Sequence, residues 1–329
     1  MTGLPFGEYL LTSSSNKSEI YYYLFDVNFK HYKWDLEGFQ PSTIGMSFVL
    51  PNNTLMITQP ETDNGWSFKA IDLHKFNNDN GYSNANIETT TPTIGSSINS
   101  DDTQNVTISF YDKVELSDGW IQIYQINGDR PPSLRQIISG DLCSLDNDNK
   151  TVVAKILSST FSVLNENYYI KVDDDFIRNK KYQEPLLGIR KNVWSFRTEG
   201  KIDTFTELNT VSILRLTVNG TKLYDNLTSE EQKDFFDTLL SGLADSVPIS
   251  SKRLHSNNKV MLDKNSTDRQ YLISVGIKVY DENDENDRNV KSVANIIDTM
   301  VKNIMYTPLI LSNVTKYLDE DYGFKPLRK

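Results

Sequence analysis

The run 105-NVTISFYDKVELSDGWIQIYQI-126 alternates apolar and polar residues on either side of the turn-forming letters SDG. Alternation at every second residue is typical of a half-buried β-strand, so NVTISFY (105–111) and WIQIYQI (120–126) are predicted strands. Similar runs follow at short intervals: RQII (135–138), TVVAKIL (151–157), YYIKVDDDF (168–176) and NVWSFRT (192–198). Strand-length runs at this spacing predict a β-sandwich over residues 89–200.

The same alternation identifies the side chains that we expect to face the core of this sandwich, because successive strand residues point to opposite faces. They are Val106, Ile108 and Phe110, then Val152, Ala154 and Ile156, then Tyr168, Ile170 and Val172, and finally Trp194 and Phe196.

Residues 1–88 are predicted to form β-hairpins, because their aromatic and β-branched runs have strand length. The runs are EIYYYLFDV (19–27), IGMSFVL (44–50), TLMITQ (54–59) and WSFKAIDL (66–73). Pro51-Asn52-Asn53 and Asp63-Asn64-Gly65 are clusters that reverse the chain between strands. From about residue 77 to residue 100 the chain turns to Asn, Ser, Thr and Gly, which marks a domain boundary.

Residues 208–329 change to a mixed α and β pattern. VSILRLTV (211–218) is a predicted strand, and Thr228 with Glu231 forms a capping box that starts a helix. The apolar face of that helix consists of Phe235, Phe236, Leu239, Leu240, Leu243 and Val247.

Two more strands, KVMLD (259–263) and YLISVGIKVY (271–280), precede a second amphipathic helix. The apolar residues of this helix are Val290, Val293, Ala294, Ile297 and Val301. A last strand is expected to begin at Leu309 to Leu311. The order βαββαβ is that of a ferredoxin-like α+β unit. With the hairpins of 1–88 and the sandwich of 89–200, the predicted fold class is therefore mainly β with three domains.

Several motifs of the middle segment resemble the SbsA-type immunoglobulin-like domain over residues 90–199. They are P-x-I-G-S-S-I (92–98), VTISFYDKVELSDG (106–119), YYIKVDDDFI (168–177), EPLLGI (184–189) and WSFRT (194–198). The resemblance implies a spacer or binding module of the kind found in surface proteins and polysaccharide-acting enzymes, without catalytic residues.

The flanking segments carry their own resemblances. The hairpin spacing of 1–88, with the W-x-F-x-x-x-D strand at 66–72, resembles the closing blades of a kelch-like propeller. The segment 208–329 resembles a SEA-like domain in its element order, but its turn DKNSTDRQY (263–271) lacks the Gly-Ser of self-cleaving members. The combination resembles modular surface proteins of filamentous fungi. The SEA-like resemblance implies that longer relatives carry a membrane anchor.

Composition narrows the choice of partners. The chain has 329 residues and a net charge of -10, so its average field repels nucleic acid. A single cysteine, Cys143, excludes an intramolecular disulfide framework. No window approaches 18 apolar residues, and the first residues lack the Lys, Arg and apolar run of a secretion signal. The expected partner is a protein or a glycan, with no nucleic acid and no membrane span in this chain.

Eight N-x-S/T sequons are candidate N-glycosylation sites, which function only in a secreted chain. They are Asn16, Asn52, Asn105, Asn149, Asn219, Asn226, Asn265 and Asn313. A chain this rich in Asn, Ser and Thr contains about five sequons by chance, so chance composition is the alternative explanation.

No catalytic, cofactor or metal site is predicted. His31, His74 and His255 lie in three different segments, far from Cys143. Of the acidic runs, Asp173 to Asp175 alternates between strand faces, and DENDEND (281–287) lacks the Gly and Glu of an EF-hand. A cation at 173–175, a carboxylate pair for glycoside hydrolysis and sugar stacking on Tyr21 to Tyr23 or on Tyr168 and Tyr169 stay open as alternatives.

These features together predict a non-enzymatic, extracellular or cell-surface protein in which the sandwich is a spacer and the flanking modules make contacts. The competing hypothesis is a fragment of a carbohydrate-active or kelch-type oxidase enzyme whose catalytic blades are missing. A third hypothesis is a truncated gene product in which residues 1–88 are only marginally stable.

Overall fold

The computed structural model describes most of the chain and shows a mainly β protein with three hydrophobic cores in its described part. The described residues are 1–14, 20–26, 28–34, 46–50, 52–60, 65–76, 78, 80–99, 103–200, 209–279 and 288–327.

The N-terminal part contains two small antiparallel sheets that pack face to face. The first has the order β1 (Thr2–Gly3), β2 (Tyr9–Ser14), β3 (Ile20–Phe25) and β4 (His31–Tyr32), and the second has β5 (Ser47–Val49), β6 (Thr54–Pro60) and β7 (Trp66–Asp72). Period-2 alternation sends one set of side chains from each sheet into the shared core. That core consists of Leu4, Leu10, Tyr22, Leu24, Leu55, Ile57, Ile71 and Leu73.

The turn between β5 and β6 matches the prediction made from Pro51-Asn52-Asn53. Asn53 has a positive φ of 71°, a conformation that Asn tolerates better than most residues. Its side chain is buried, and its Nδ2 donates to the carbonyl of His74 at 2.9 Å. Asn53 therefore also joins the turn to the end of β7. Most of the second predicted turn, Asp63-Asn64-Gly65, lies outside the described residues.

The middle part is a pair of stacked β-sheets. Its strands are β8 (Ile87–Thr91), β9 (Ser97–Asn99), β10 (Asn105–Phe110), β11 (Val114–Leu116), β12 (Ile121–Asn127), β13 (Arg130–Ile138), β14 (Cys143–Leu145), β15 (Thr151–Lys155), β16 (Asn167–Val172), β17 (Ile177–Asn179) and β18 (Ile189–Glu199). One sheet has the order β14-β15-β10-β8, the other β13-β12-β16-β18-β9, and β11 pairs with β17. All neighbours in these sheets are antiparallel except β9 and β18.

The side chains predicted for the sandwich core are all buried. Trp194 is fully buried, and its Nε1 donates to the Pro92 carbonyl at 2.7 Å, which fixes β18 against the segment after β8. Tyr169 is buried as well, on the opposite face of β16, where its ring stacks on Tyr124 at 5.0 Å. Tyr82 and Ile87 also join this core, so the sandwich begins before residue 89.

The C-terminal part consists of one sheet and the helices that cover it. Its elements are β19 (Thr210–Arg215), α1 (Val218–Asp225), α2 (Ser229–Ser246), β20 (Leu254–Leu262), β21 (Tyr271–Ile277), α3 (Val290–Lys302) and β22 (Lys325–Pro326). The sheet is antiparallel with the order β20-β21-β19-β22. The predicted faces of α2 and α3 pack on the core of this part, with Leu240 and Ala294 only partly buried.

Four strand predictions in this part were wrong. The strand predicted at 259–263 runs from Leu254 to Leu262, and the strand predicted at 271–280 ends at Ile277. The strand predicted at 211–218 runs from Thr210 to Arg215, because Thr217 caps α1 by accepting a hydrogen bond from the Gly220 amide at 3.1 Å. Pro308–Leu311 forms a 3-10 helix instead of the last strand, with the proline in its first turn. The fourth strand of the sheet is the short β22 near the C-terminus.

The capping box predicted at the start of α2 is confirmed. The Thr228 hydroxyl accepts from the Glu231 amide, and the Glu231 carboxylate accepts from the Thr228 amide at 2.8 Å. We expect Thr228→Ala to lower the free energy of unfolding by about 1 kcal/mol, because the first turn of α2 loses its cap. Urea unfolding followed by far-UV circular dichroism measures this loss. Ser241→Ala, on the exposed side of the same helix, serves as the control.

Candidate functional site: a cleft at the junction of the N-terminal sheets and the sandwich

The N-terminal sheets rest on the sandwich through a set of polar contacts. The Asn84 side chain is buried and donates to the Leu187 carbonyl at 2.6 Å. The Ala85 amide donates to the Pro5 carbonyl at 2.8 Å. These contacts hold the segment before the sandwich against both neighbours, because a buried amide that lost its partner would be left unsatisfied.

A second group of contacts involves aromatic rings and a carboxylate. The Tyr9 hydroxyl donates a short hydrogen bond to the Glu184 carboxylate. Phe29 stacks on Tyr9 at 5.4 Å between ring centroids and meets the edge of Tyr182 at 6.4 Å. Four side chains from both sides of the junction thus contact one another, which fixes the loop before β18 against the N-terminal sheet.

A cleft of about 380 Å³ opens beside this junction, bounded by both N-terminal sheets and by the segments around Asp174 and Gly188. Its apolar residues include Leu10, Val49 and Leu55. Hydroxyl groups and two charged side chains complete the lining: Thr2, Thr12, Ser47, Ser83, Asp174 and Arg190. An apolar floor with a few polar groups is the usual composition of a binding site.

Gly188 gives the cleft one of its walls. A Cβ at this position would lie 2.0 Å from the Val172 carbonyl oxygen, so only glycine allows this close approach. The Gly188 amide donates to Asp174 Oδ1 at 2.9 Å, which orients that carboxylate at the rim. Arg190 is exposed and makes no ion pair within the described part of the chain. Its guanidinium is therefore available to an acceptor group on a ligand.

The pKa of Tyr9 determines the pH range over which this junction is stable. Burial and the Glu184 carboxylate raise the pKa of the Tyr9 hydroxyl above its usual value of about 10. A group with a raised pKa stabilises the folded state below its unfolded pKa, and this contribution is lost only as the pH rises through the folded value. We therefore expect the junction to stay closed up to pH about 10.

Tyr9→Phe removes this hydrogen bond and leaves the ring in place. We expect the variant to show faster proteolysis of residues 1–76 than the wild type at pH 7, with the sandwich left intact. Limited proteolysis followed by mass spectrometry measures the rate. Tyr322→Phe, in the C-terminal part, is the control, because its hydroxyl makes no hydrogen bond within the described chain. Equal rates for wild type and Tyr9→Phe would contradict the role given to this contact.

The sandwich meets the C-terminal part at a second junction, around Arg135. This side chain is 2% exposed, and Arg135 lies between Leu134 and Gln136 at an irregularity of β13, where the register with β12 shifts. Its guanidinium donates to the carbonyls of Ser246 at 2.7 Å and Ser159 at 3.0 Å, and to Ser162 Oγ at 3.0 Å. Ser246 is the last residue of α2, where the helix dipole favours a cation.

Among the described residues, no carboxylate takes part in the hydrogen bonds of Arg135, which is unusual for a buried guanidinium. Burial lowers the pKa of this group, but arginine starts from so high a value that it stays charged. The bonds connect residues 111 positions apart in the sequence, so Arg135 joins two parts of the chain. Tyr306 adds a hydrogen bond to Asp141 across the same junction.

The acidic residues considered as cation ligands do not converge. Asp173 pairs with Lys171 Nζ at 2.7 Å, Asp174 accepts from Gly188, and Asp175 has a positive φ of 74° in a turn. Among the described residues, no group of three or more His, Cys, Asp or Glu side chains could hold a metal ion. The acidic run 281–287 lies outside the described residues.

The histidines and the cysteine lie in separate structural environments. His74 stacks on Tyr32 at 4.6 Å, and His31 meets the rings of Tyr23 and Phe25. Cys143 is partly buried against the sandwich core, and burial, with the nearby Asp141 carboxylate, raises the pKa of its thiol to about 12. A thiol with this pKa is a poor nucleophile at neutral pH.

The tyrosine runs considered for sugar stacking split between faces. Tyr22 is buried in the N-terminal core, whereas Tyr21 and Tyr23 lie on the other face and stack on each other at 6.5 Å. Tyr168 and Tyr169 are both buried, so they offer no surface to a sugar.

Most of the candidate glycosylation sites that the structure describes are on the surface. The exposed ones are Asn52, Asn105, Asn219, Asn226, Asn265 and Asn313. Asn149 is half-buried in a turn, where its backbone has a positive φ of 60° and its backbone N–H donates to the Asp146 carbonyl. Asn16 lies outside the described residues.

The sequence did not identify the residues that form the cleft and the two junctions. An arginine in a strand usually faces solvent, and nothing local distinguishes Arg135 from the exposed Arg130 on the same strand. None of the helices in the described part of the chain is both long and apolar enough to span a membrane. No protein-family model matches the chain, and no curated protein matches its sequence.

Proposed function

We propose that this chain is a non-enzymatic modular protein of the extracellular space or cell surface, in which an SbsA-type immunoglobulin-like sandwich is a rigid spacer between two contact modules. The observation that carries the proposal is the buried polar contact at the second junction, where Arg135 binds the end of α2. A spacer needs a fixed separation between its ends, and buried hydrogen bonds across a junction supply it.

The finer module assignments belong to the same proposal. Two stacked sheets around Trp194 support an immunoglobulin-like sandwich. In the C-terminal part, the sheet order β20-β21-β19-β22 supports a ferredoxin-like or SEA-like unit. The two N-terminal sheets that pack face to face support an origin in propeller blades.

The cleft is the proposed contact site of the N-terminal module. Its wall at Gly188 and its floor belong to elements that the first junction fixes, so a ligand would meet a preformed surface. The hydroxyl groups, the oriented Asp174 carboxylate and the Arg190 guanidinium provide donors and acceptors of the kind that a glycan or a peptide backbone engages.

Expression in a eukaryotic secretory host, behind a secretion signal, tests whether the chain passes through the secretory pathway, as an extracellular protein must, and accepts glycans there. We expect a secreted protein whose mass falls when N-glycans are removed, because six of the seven sequons that the structure describes are exposed. Peptide mapping should find glycans at exposed sites such as Asn265 and none at Asn149. Retention of the chain inside the cell without glycans would contradict the proposal, and Asn149→Gln serves as a control that leaves the mass unchanged.

A further inference from the structure

The outer face of the β5–β7 sheet is apolar and exposed. Phe48, Trp66 and Phe68 are 49%, 61% and 67% exposed, and Met46 is 74% exposed. Soluble proteins rarely expose several large apolar side chains side by side unless the surface binds another molecule. We refer to Met46, Phe48, Met56, Trp66, Phe68 and Ala70 as the outer face; Phe48, on the edge strand, also borders the cleft.

The strand register shows that these side chains share one face. Phe48 lies opposite Met56, which lies opposite Ala70, and Thr58 lies opposite Phe68. At one end of the sheet the Thr58 amide donates to the Met46 carbonyl at 2.8 Å, and the Met46 amide donates to the Thr58 hydroxyl at 2.9 Å. The opposite face carries Leu55, Ile57 and Ile71, which fill the N-terminal core. Among the described residues, this sheet therefore carries large apolar side chains on both sides, and the N-terminal core covers one of them.

We propose that the outer face binds a second copy of this chain through the same face, which goes beyond the spacer function. An apolar sheet face is self-complementary, since two such faces stack about 10 Å apart as in a sandwich, and a two-fold axis brings the same patch from each copy together.

Charge favours a second copy over a charged partner. The outer face contains no charged residue; beside it, on the same side of the sheet, lies Asp72, whose carboxylate accepts a hydrogen bond from Thr54 Oγ1 at 2.9 Å. The whole chain carries a net charge of -10, so two copies repel each other over most of their surfaces. Contact through the uncharged face avoids placing like charges opposite one another.

The area that the outer face can bury indicates how tightly two copies should bind. Large aromatic side chains bury about 150–250 Å² each, so the exposed fractions of the three rings, with Met46 counted at the same size, correspond to roughly 400–600 Å² per copy. A standard stable interface buries about 800 Å² per partner. The outer face alone therefore supports a weak, reversible dimer in roughly the micromolar range.

Sedimentation velocity of the full chain over about 1 to 200 μM tests the proposal. We expect the weight-average sedimentation coefficient to rise with concentration, and Trp66→Thr with Phe68→Thr to weaken self-association at least about tenfold. Phe68→Glu places two like charges across the two-fold axis and should abolish the dimer. Because these side chains are more than half exposed, the variants leave the N-terminal core intact, which near-UV circular dichroism verifies.

Met261→Thr with Leu262→Thr is the matched control, because these residues are 46% and 53% exposed on β20 of a different sheet. It should dimerise like the wild type. A wild-type chain that stays monomeric at the highest concentration would overturn the proposal and assign the outer face to another occupant. A dimer that persists in Phe68→Glu, or one that the control variant loses, would place the self-association on a different surface and would overturn it equally.

Discussion

Replacing Arg135 by methionine will uncouple the C-terminal part from the sandwich. The variant leaves the carbonyls of Ser246 and Ser159 buried without their donor, and each unsatisfied acceptor costs about 1–3 kcal/mol. We expect a total loss of about 3 kcal/mol or more, since the hydrogen bonds to the charged guanidinium are stronger than neutral ones.

Differential scanning calorimetry detects this uncoupling. In the wild type we expect the sandwich and the C-terminal part to unfold together, and in Arg135→Met we expect the C-terminal part to unfold separately, roughly 10 °C lower. Arg130→Met is the matched control, because Arg130 is on the same strand and is exposed. An Arg135→Met trace identical to that of Arg130→Met would show that the contact does not join the two parts.

Replacing Arg215 by methionine will destabilise the C-terminal part from within. Arg215 donates to Asp319 at 2.9 Å and to Asp263 at 3.2 Å, and these aspartates are only 8% and 6% exposed. The paired carboxylates raise the pKa of the guanidinium against the effect of its own burial. Without Arg215, two buried carboxylates lose their cation, and removing one partner of such a buried pair costs about 3–5 kcal/mol.

Urea unfolding followed by circular dichroism at 222 nm measures this loss, because the three α-helices of the described chain lie in the C-terminal part. Arg269→Met is the control, since the ion pair of Arg269 with Asp225 is exposed and such pairs contribute less than about 1 kcal/mol. In a double-mutant cycle, Asp319→Asn should recover part of the stability lost in Arg215→Met. If Arg215→Met is no less stable than Arg269→Met, the network does not stabilise this part of the chain.

Local patterns predicted much of the fold. The alternation of Val106, Ile108 and Phe110 placed these side chains in the core, because the period of a strand is independent of its partners. The start of α2 was predicted for the same reason, since the capping box of Thr228 and Glu231 lies within one turn.

Errors appeared where a short element depended on distant packing. The last strand was expected at Leu309 to Leu311, where an apolar run matched strand composition, but Pro308 begins a 3-10 helix there. The strand that completes the sheet, β22, has two residues and no apolar periodicity, so its sequence carries no strand signal. Its place is set by pairing with β19.

The candidate site depends on long-range contacts that no local pattern contains. Asn84 reaches the Leu187 carbonyl across 103 positions, and Tyr9 reaches Glu184 across 175. An asparagine in a polar linker looks like a turn residue until its partner is known. The cleft and both junctions therefore follow from tertiary packing, whereas the sequons were visible in the sequence.

The proposed spacer function rests on one central claim, that the two flanking parts are held at a fixed separation. Pulsed electron paramagnetic resonance between spin labels at Lys33→Cys and Lys233→Cys measures this separation directly. The labels belong in a Cys143→Ser background, because Cys143 is the single native cysteine. We expect one narrow distance distribution in the wild type, which broadens in Arg135→Met. A broad or bimodal distribution in the wild type would show that the modules move independently and would contradict the account.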